Sequence, residues 1–391
     1  MVRTADDGGR VALILLALDR IDHEGATGLL VACLMVPHIV AAPLVGALTD
    51  WSRRPALVIG GLALGFSASL ALTASTLGHV PLSVSVLMLL LGGSCGPALI
   101  GGLSSQLSRL AKPESLPRVF GVDAMTYNIA GVAGPALAGL TASLVNSTAA
   151  CLLMAGVCAA GAVPAGALPV RRERAAAGAT ARPSLTAGAR AIVADKTLAT
   201  VILASAVGQL GPGAIPVVVA LAAKAHHHAS ASGLMLSAVA VGGLLGSLLW
   251  TARPAPTPRA PTVVMLAMCA TGLPVLVGVV TTSLPVLTAA LAVSGFFLGP
   301  LIGALFTARN ALAPSDVRAQ VFTIGAGLKI TAAATGTAAI GLLAGAPLAV
   351  QFLVVGLNPI VTGLIGLAVL AALANRPAGR VGAGAPATGG A

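Results

Sequence analysis

Apolar residues run along this chain in long blocks separated by short polar interruptions. A helix that crosses a bilayer needs about 20 such residues. Blocks of that length stand at roughly 25–49, 55–76, 82–107, 117–142, 147–170, 197–222, 230–251, 261–281, 285–309, 318–342 and 347–373, which makes eleven full-length spans. Ahead of them Arg10–Leu18 is apolar but too short to cross alone, and Met1–Leu18 carries Arg3, Asp6, Asp7 and Arg10, all costly in lipid. The expectation is a shortened first helix. Either a start codon assigned too far downstream clips its cytoplasmic half, or the segment is short or re-entrant. It does not read as a secretory signal, because Asp19-Arg20 follows the run where a small-residue cleavage site belongs.

Composition excludes a soluble domain. Hydrophobic residues make up 57% and charged residues 8% of the 391, against about a quarter charged in soluble proteins. The chain reads as an all-α polytopic membrane protein. A net charge of +11 would point to nucleic acid in a soluble protein, but here the cations punctuate the apolar blocks. Place the 50–55 turn in the cytoplasm, and that side carries Arg53, Arg54, Arg109, Lys112, Arg118, Arg171, Arg172, Arg174, Arg182, Arg190, Lys196, Arg253, Arg259, Arg309, Arg318, Arg376 and Arg380. The opposite side carries Arg20 and Lys224. This asymmetry supports the alternation of spans and puts both termini in the cytoplasm of an inner or plasma membrane.

Residues 171–196 hold six cations and divide the chain into 1–170 and 197–373, with 374–391 as a flexible tail. An amphipathic surface helix fits around Leu185–Asp195. The two halves repeat: Gly101–Gly139 and Gly303–Gly341 correspond at an offset of 202, pairing Val119-Phe120 with Val321-Phe322 and Gly134 with Gly336. Gly46 and Arg53 pair with Gly246 and Arg253 at an offset of 200. Parallel repeats of this kind are related by an axis along the membrane normal. Trp51 and Trp250 fall at equivalent helix ends and read as interfacial anchors.

The stretch Gly46-Ala47-Leu48-Thr49-Asp50-Trp51-Ser52-Arg53-Arg54-Pro55 is a charged turn between two spans. Ala42, Gly46 and Asp50 share a helix face whose small residues admit a neighbouring helix. Gly46, Leu48, Asp50, Arg53 and Arg54 resemble the G-x-L-x-D-x-x-x-R-R loop between helices 2 and 3 of the major facilitator superfamily; Trp51 and Ser52 depart from it. With the repeat, the resemblance covers nearly the whole chain. It implies two six-helix bundles related by a pseudo-twofold along the membrane normal, rocking around a central site. It also implies that Asp50 gates by contacting the N-terminus of helix 11 near Ser315–Arg318, where exposed N–H groups favour an anion. Asp316 competes as a cap for that helix. Trp250 stands where symmetry would put a second acid, so a single latch is expected.

Deeper polar residues are few. Asp123 lies about 7 Å below its helix start, facing Arg54, Arg109 or a wet cavity, and serves either structural pairing or proton coupling. Lys329, about 16 Å in, and His38, about 18 Å in, come from neighbouring helices in the superfamily and so share a depth and a cavity wall. There they would suit an anionic group or a proton–substrate competition, unless Lys329 snorkels and His38 merely packs. Tyr127, Asn128 and Gln209 are cavity candidates or interhelical glue. Gly131, Gly134, Pro135 and Gly139 resemble part of the glycine-proline motif of the family's drug/proton antiporters, or simply allow close packing.

Enzyme signatures, a phosphate-binding loop and a cofactor site are absent from the sequence. The five cysteines read as small core residues, and His226-His227-His228 as a solvated loop rather than a metal site. The reading is a monomeric secondary transporter of the drug-efflux type, exporting a small molecule with protons as coupling ion. Uptake, uniport or a non-transporting scaffold or sensor of the same fold are the alternatives.

Overall fold

The computed structural model describes residues 1–21, 24–170, 184–226, 231–343 and 345–375. The expected tail, residues 171–183 of the central connection, and His227 and His228 lie outside them. Thirteen helices follow: α1 Val2–Arg20, α2 as Glu24–Met35 and Pro37–Trp51, α3 Pro55–Thr76, α4 Leu82–Arg109, α5 Leu116–Leu144, α6 Ser147–Gly166 and α7 Ala187–Ala194. After α7 come α8 as Lys196–Val207 and Leu210–Ala225, α9 Ala231–Ala252, α10 Thr257–Val280, α11 Leu284–Leu312, α12 Arg318–Leu342 and α13 Leu348–Ala374. Interruptions fall at Pro37 in α2 and at Gly208-Gln209 in α8, and α4 carries a π turn at Ala98–Gly102. Proline removes a backbone donor, and wide turns relieve the crowding that results.

The first helix is longer than its apolar run and corrects the expectation of a short or re-entrant segment. It begins at Val2 and runs 19 residues, about 28 Å at 1.5 Å per residue, which matches the hydrocarbon core. Its charged half is helical and packed: Arg3, Asp6, Gly8 and Gly9 are buried. Charges lower its hydropathy, but they face protein, so length in apolar residues alone underestimates the span.

Helices α1–α6 form one bundle and α8–α13 a second. Leu13 and Leu16 of α1, Leu34 of α2, Phe66 and Leu70 of α3, Leu89 of α4 and Met154 of α6 share the first core. Val218, Met235, Leu291 and Phe352, and nearer the basic ends Val264, Met265 and Leu301, fill the second. In the second bundle α9 and α11 approach closely: a Cβ on Gly242, Gly246, Gly295 or Gly299 would overlap backbone of the facing helix, so glycine sets that interaxial distance.

Helix α7 lies in the central connection and docks at the basic end of the second bundle. Ile192 packs with Leu198 and Val321, and the Gly188 N–H donates to Gln320 Oε1 at 2.8 Å. Asp195 then caps α8 by accepting from the Leu198 N–H at 2.9 Å. Among the described residues nine helical spans are long and apolar enough to cross a membrane on length and composition alone, and besides the short α7 the helices α1, α5 and α12 are not among them. All three of these long helices contribute residues to one central cavity.

Candidate functional site

A cavity of about 280 Å³ lies between the bundles. Its polar wall comes from Arg3, Asp6, Asp7 and Arg10 of α1, Tyr127 of α5, Gln209 at the break in α8, Arg309 of α11 and Lys329 of α12. Leu298, Leu301, Ile302, Leu305, Phe306 and Ile330 supply the apolar wall. The polarity that weakens these helices as spans is therefore spent on the cavity, as expected for ionisable groups inside a membrane.

Asp123 pairs with Arg3, not with Arg54 or Arg109. Arg3 Nη1 stands 2.6 Å from Asp123 Oδ1, both side chains being buried. Ser104 Oγ donates to Asp123 Oδ2 at 2.6 Å and accepts from Arg3 Nη2 at 2.8 Å. Thr126 Oγ1 accepts from Arg3, and the guanidinium carbon lies 3.8 Å from the centroid of the Tyr127 ring. Every partner is placed to satisfy a planar guanidinium. A bare carboxylate at that depth needs a counter-charge, and α1 supplies it.

Arg10 serves two acids. It bonds Asp6 and lies 3.5 Å from Asp7 Oδ1. His38 is buried behind Asp6, with Nε2 4.0 Å from Asp6 Oδ1 and neither ring nitrogen hydrogen-bonded. A Cβ on Gly96 would overlap the ring. His38 thus packs within the first bundle, away from the wall it was expected to share with Lys329. Sequence reasoning singled out none of Arg3, Asp6, Asp7 and Arg10 as site residues. Their i, i+3, i+4, i+7 spacing marks one helix face, the signal that would have found them.

Lys329, Tyr127 and Gln209 line the cavity; Asn128 does not. Asn128 Nδ2 donates to the Gly243 carbonyl at 3.0 Å and to Ser247 Oγ at 2.9 Å, joining α5 to α9. Arg309, not anticipated as a cavity residue, is 1% exposed, and its Nε and Nη2 have no hydrogen-bond partner. Lys329 has no acidic partner among the described residues. No group of three or more His, Cys, Asp or Glu among the described residues could hold a metal ion.

Toward the basic end the bundles are joined. Asp50 Oδ1 and Oδ2 accept from the Ala319 and Gln320 N–H groups, each at 3.0 Å, in the first turn of α12. Helix α12 has no side-chain cap of its own, so Asp50 satisfies its orphan donors from the other bundle. A Cβ on Gly46 would stand 2.5 Å from Gln320 Cα and Thr323 Oγ1, and Thr323 Oγ1 donates to the Ala42 carbonyl at 2.8 Å. The Ala42, Gly46, Asp50 stripe therefore faces α12. Arg53 and Arg54 are exposed and form no salt bridge among the described residues. Asp50 therefore joins the bundles through carboxylate-to-amide bonds and makes no ion pair among the described residues.

Trp250 corrects the expected interfacial anchor and single latch. It is 4% exposed, and its indole Nε1 donates to the Pro117 carbonyl at 2.9 Å, tying the basic end of α9 to the start of α5. Above these contacts Phe120, Phe306 and Phe322 pack together, with Tyr127 5.5 Å from Phe306. Of Gly131, Gly134 and Gly139 only Gly134 needs to be small: a Cβ there would stand 2.5 Å from the Thr4 carbonyl, whereas Gly131 and Gly139 face open space. Pro135 lies inside α5.

Comparison with solved structures fits this architecture. The chain superposes on a bacterial homologue of the iron transporter ferroportin in its outward-facing state, with TM-score 0.71, 16% identity and coverage of 96% of this chain and 98% of that one. It also superposes on the E. coli fucose:proton symporter FucP, with TM-score 0.70, 13% identity and coverage of 94% and 97%. These identities speak to fold alone. In sequence it is 26% identical over 371 residues to y4rN of Sinorhizobium fredii, an uncharacterized MFS-type transporter, covering 92% of this chain and 90% of that protein. The family model of the Major Facilitator Superfamily matches residues 11–329. The chain, a multi-pass membrane protein of transporter type, belongs to the major facilitator superfamily.

Proposed function

We propose that this protein is a secondary active transporter that exports a small molecule by alternating access, with protons as the coupling ion. It acts as a monomer in an inner or plasma membrane, with both termini and the basic end in the cytoplasm. Residues 1–170 and 197–373 are the moving halves and 171–196 is their cytoplasmic connection. The observation that carries the reading is the charged cavity between bundles joined at the basic end only by separable contacts. Asp50 on Ala319 and Gln320, Trp250 on Pro117, and the aromatic cluster above them form the cytoplasmic gate.

Proton coupling rests on a charge count. Asp6 and Asp7 share the single guanidinium of Arg10, leaving one surplus negative charge that a proton can neutralise. His38 stands behind Asp6 as a second proton acceptor, while Arg3 is held by Asp123 and the remaining facing charges are Arg309 and Lys329. A second reading, proton-coupled uptake, has one observation in its favour. Protonating Asp6 or Asp7 makes the cavity more positive, so an anion and a proton would enter it together rather than in turn.

The test is proton movement in proteoliposomes under pH gradients of each sign, across a panel of neutral, cationic and anionic compounds. Export requires compound-dependent proton entry on the side opposite to the compound; uptake requires both to move together. No compound-dependent proton movement across the panel would sink coupling and favour the scaffold alternative.

A further inference from the structure

We propose that the cavity takes an organic anion, a carboxylate on a compact apolar body, and that Arg309 and Lys329 hold its charged group. The inference deepens the transport reading and rests on it for its physiological meaning. It starts from which cations are free. Four cations line the cavity, Arg3, Arg10, Arg309 and Lys329. Arg3 is consumed by Asp123, and Arg10 by Asp6 and Asp7. Arg309 and Lys329 have no acid among the described residues.

An unpaired guanidinium this deep is expensive, and removing its water without replacing those hydrogen bonds leaves the cost standing. Yet the chain makes room for it: a Cβ on Gly325 would stand 2.7 Å from Arg309 Cζ, so glycine there leaves the guanidinium its present position. Lys329 follows Gly325 by one helical turn, on the same face of α12. Arg309 and Lys329 line the same cavity, and two like charges facing one cavity are relieved together by an anion between them. Arginine adds a planar fork that matches a carboxylate.

The internal repeat sharpens the point. Tyr127, the equivalent of Lys329, already carries the Arg3 guanidinium on its ring face. The first bundle has its cation paired and the second has its cation open, so the anion site is one-sided. Apart from Gln209 and the Asp6, Asp7 and Arg10 group on α1, the remaining wall is aliphatic and aromatic. A volume of about 280 Å³ stands at the small end of ligand sites, about 300–1,000 Å³, which limits the apolar body to one or two rings.

The experiment is equilibrium binding of radiolabelled naphthoate to the full chain in nanodiscs, with competition by naphthamide and naphthylmethylamine, which share its shape but not its charge. Naphthoate should displace the label at least about ten-fold better than either. Arg309→Gln and Lys329→Gln should each weaken binding about ten-fold or more, with Arg309→Lys intermediate. Equal competition by the amide, or wild-type binding in both Gln variants, would overturn the proposal. If a variant does not fold, as judged by size-exclusion profile and melting, the wild-type competition series decides alone. Binding needs no movement of the bundles, so tight naphthoate binding without transport in vesicles sinks the transport reading and spares the site. Transport of neutral or cationic compounds without anion binding does the reverse.

Discussion

Phe120 and Phe322, equivalent positions of the internal repeat, meet ring to ring across the bundle interface with centroids 6.2 Å apart. Phe306 completes the cluster at 6.0 Å from Phe120 and 5.8 Å from Phe322. The chain has only ten aromatic residues, seven Phe, two Trp and one Tyr, and with Tyr127 four of them gather here. Aromatic packing has no directional bonds to break beyond a preferred tilt, so the cluster can seal the basic end and still part. Phe120→Ala together with Phe322→Ala should admit water from that end. Cysteine placed at Ile302 should then react faster with a membrane-impermeant maleimide than in the parent, and an unchanged rate would remove the cluster from the gate.

Asp50→Ala should fold and insert yet lose hold of α12. Two carboxylate-to-amide bonds disappear, a loss comparable to removing a helix N-cap, about 1–2 kcal/mol. Separation of the basic ends should rise by about 5- to 30-fold in population. Spin labels on Arg53→Cys and Ser315→Cys, both exposed positions, report that separation by pulsed dipolar spectroscopy. Unchanged distance distributions would show that Asp50 does not hold the closed form.

Trp250→Phe tests the other contact. It keeps a ring and loses the indole N–H, at about 1 kcal/mol. Combined with Asp50→Ala, its effect on the same spin-label distances should add, because the two contacts share no residue. Strong non-additivity would mean one concerted latch.

What could be read from the chain depended on whether a helix face could be assigned. Span positions were legible because the hydrocarbon thickness fixes a minimum apolar length. Asp50 was legible because the turn around it is short and charged. His38 and Asn128 were not, because a helix apolar all round gives no clue to which side meets protein and which meets lipid. Depth placed His38 level with Lys329, but rotation turned its ring toward Gly96 and Asp6. Trp250 looked like an anchor for the same reason: an aromatic at a helix end fits lipid headgroups and a neighbouring helix equally well. The α1 charges were misread as an obstacle to crossing because the counter-charge of Arg3, Asp123, lies 120 residues away, and the pairing of Arg10 with Asp6 and Asp7 within the helix was overlooked.

Arg3 and Asp123 should behave as a unit. Arg3→Met leaves a buried carboxylate without a cation and should cost about 3–5 kcal/mol, read as a large fall in melting temperature in detergent. Asp123→Asn should also lower it. The double variant should recover most of the loss, since neither charge is then stranded. A double variant no better than Arg3→Met would show that the pair does not dominate this site.

Glycine substitution in α5 separates contact from motif. Gly134→Ala should strongly destabilise the protein, because its Cβ would meet the backbone of α1 at Thr4 and Gly8. Gly131→Ala and Gly139→Ala should be neutral or raise the melting temperature slightly, by up to about 0.5–1 kcal/mol of helix preference. Equal damage at all three would argue for a requirement that packing does not explain.

The Arg3–Asp123 pair also imposes a timetable on biogenesis. Insertion scales place the cost of a charge at the centre of a lone helix at about 2.5–3.5 kcal/mol, and α1 carries four such groups in its first ten residues. Its release into lipid as a solitary helix is therefore unfavourable until α5 emerges. At synthesis rates of about 5–20 residues per second, the 120 residues between Arg3 and Asp123 take about 6–24 s. For that interval α1 must be sheltered by the insertion machinery or by water at the membrane surface. Helix α1 is thus committed only when α5, four helices later in the chain, has emerged.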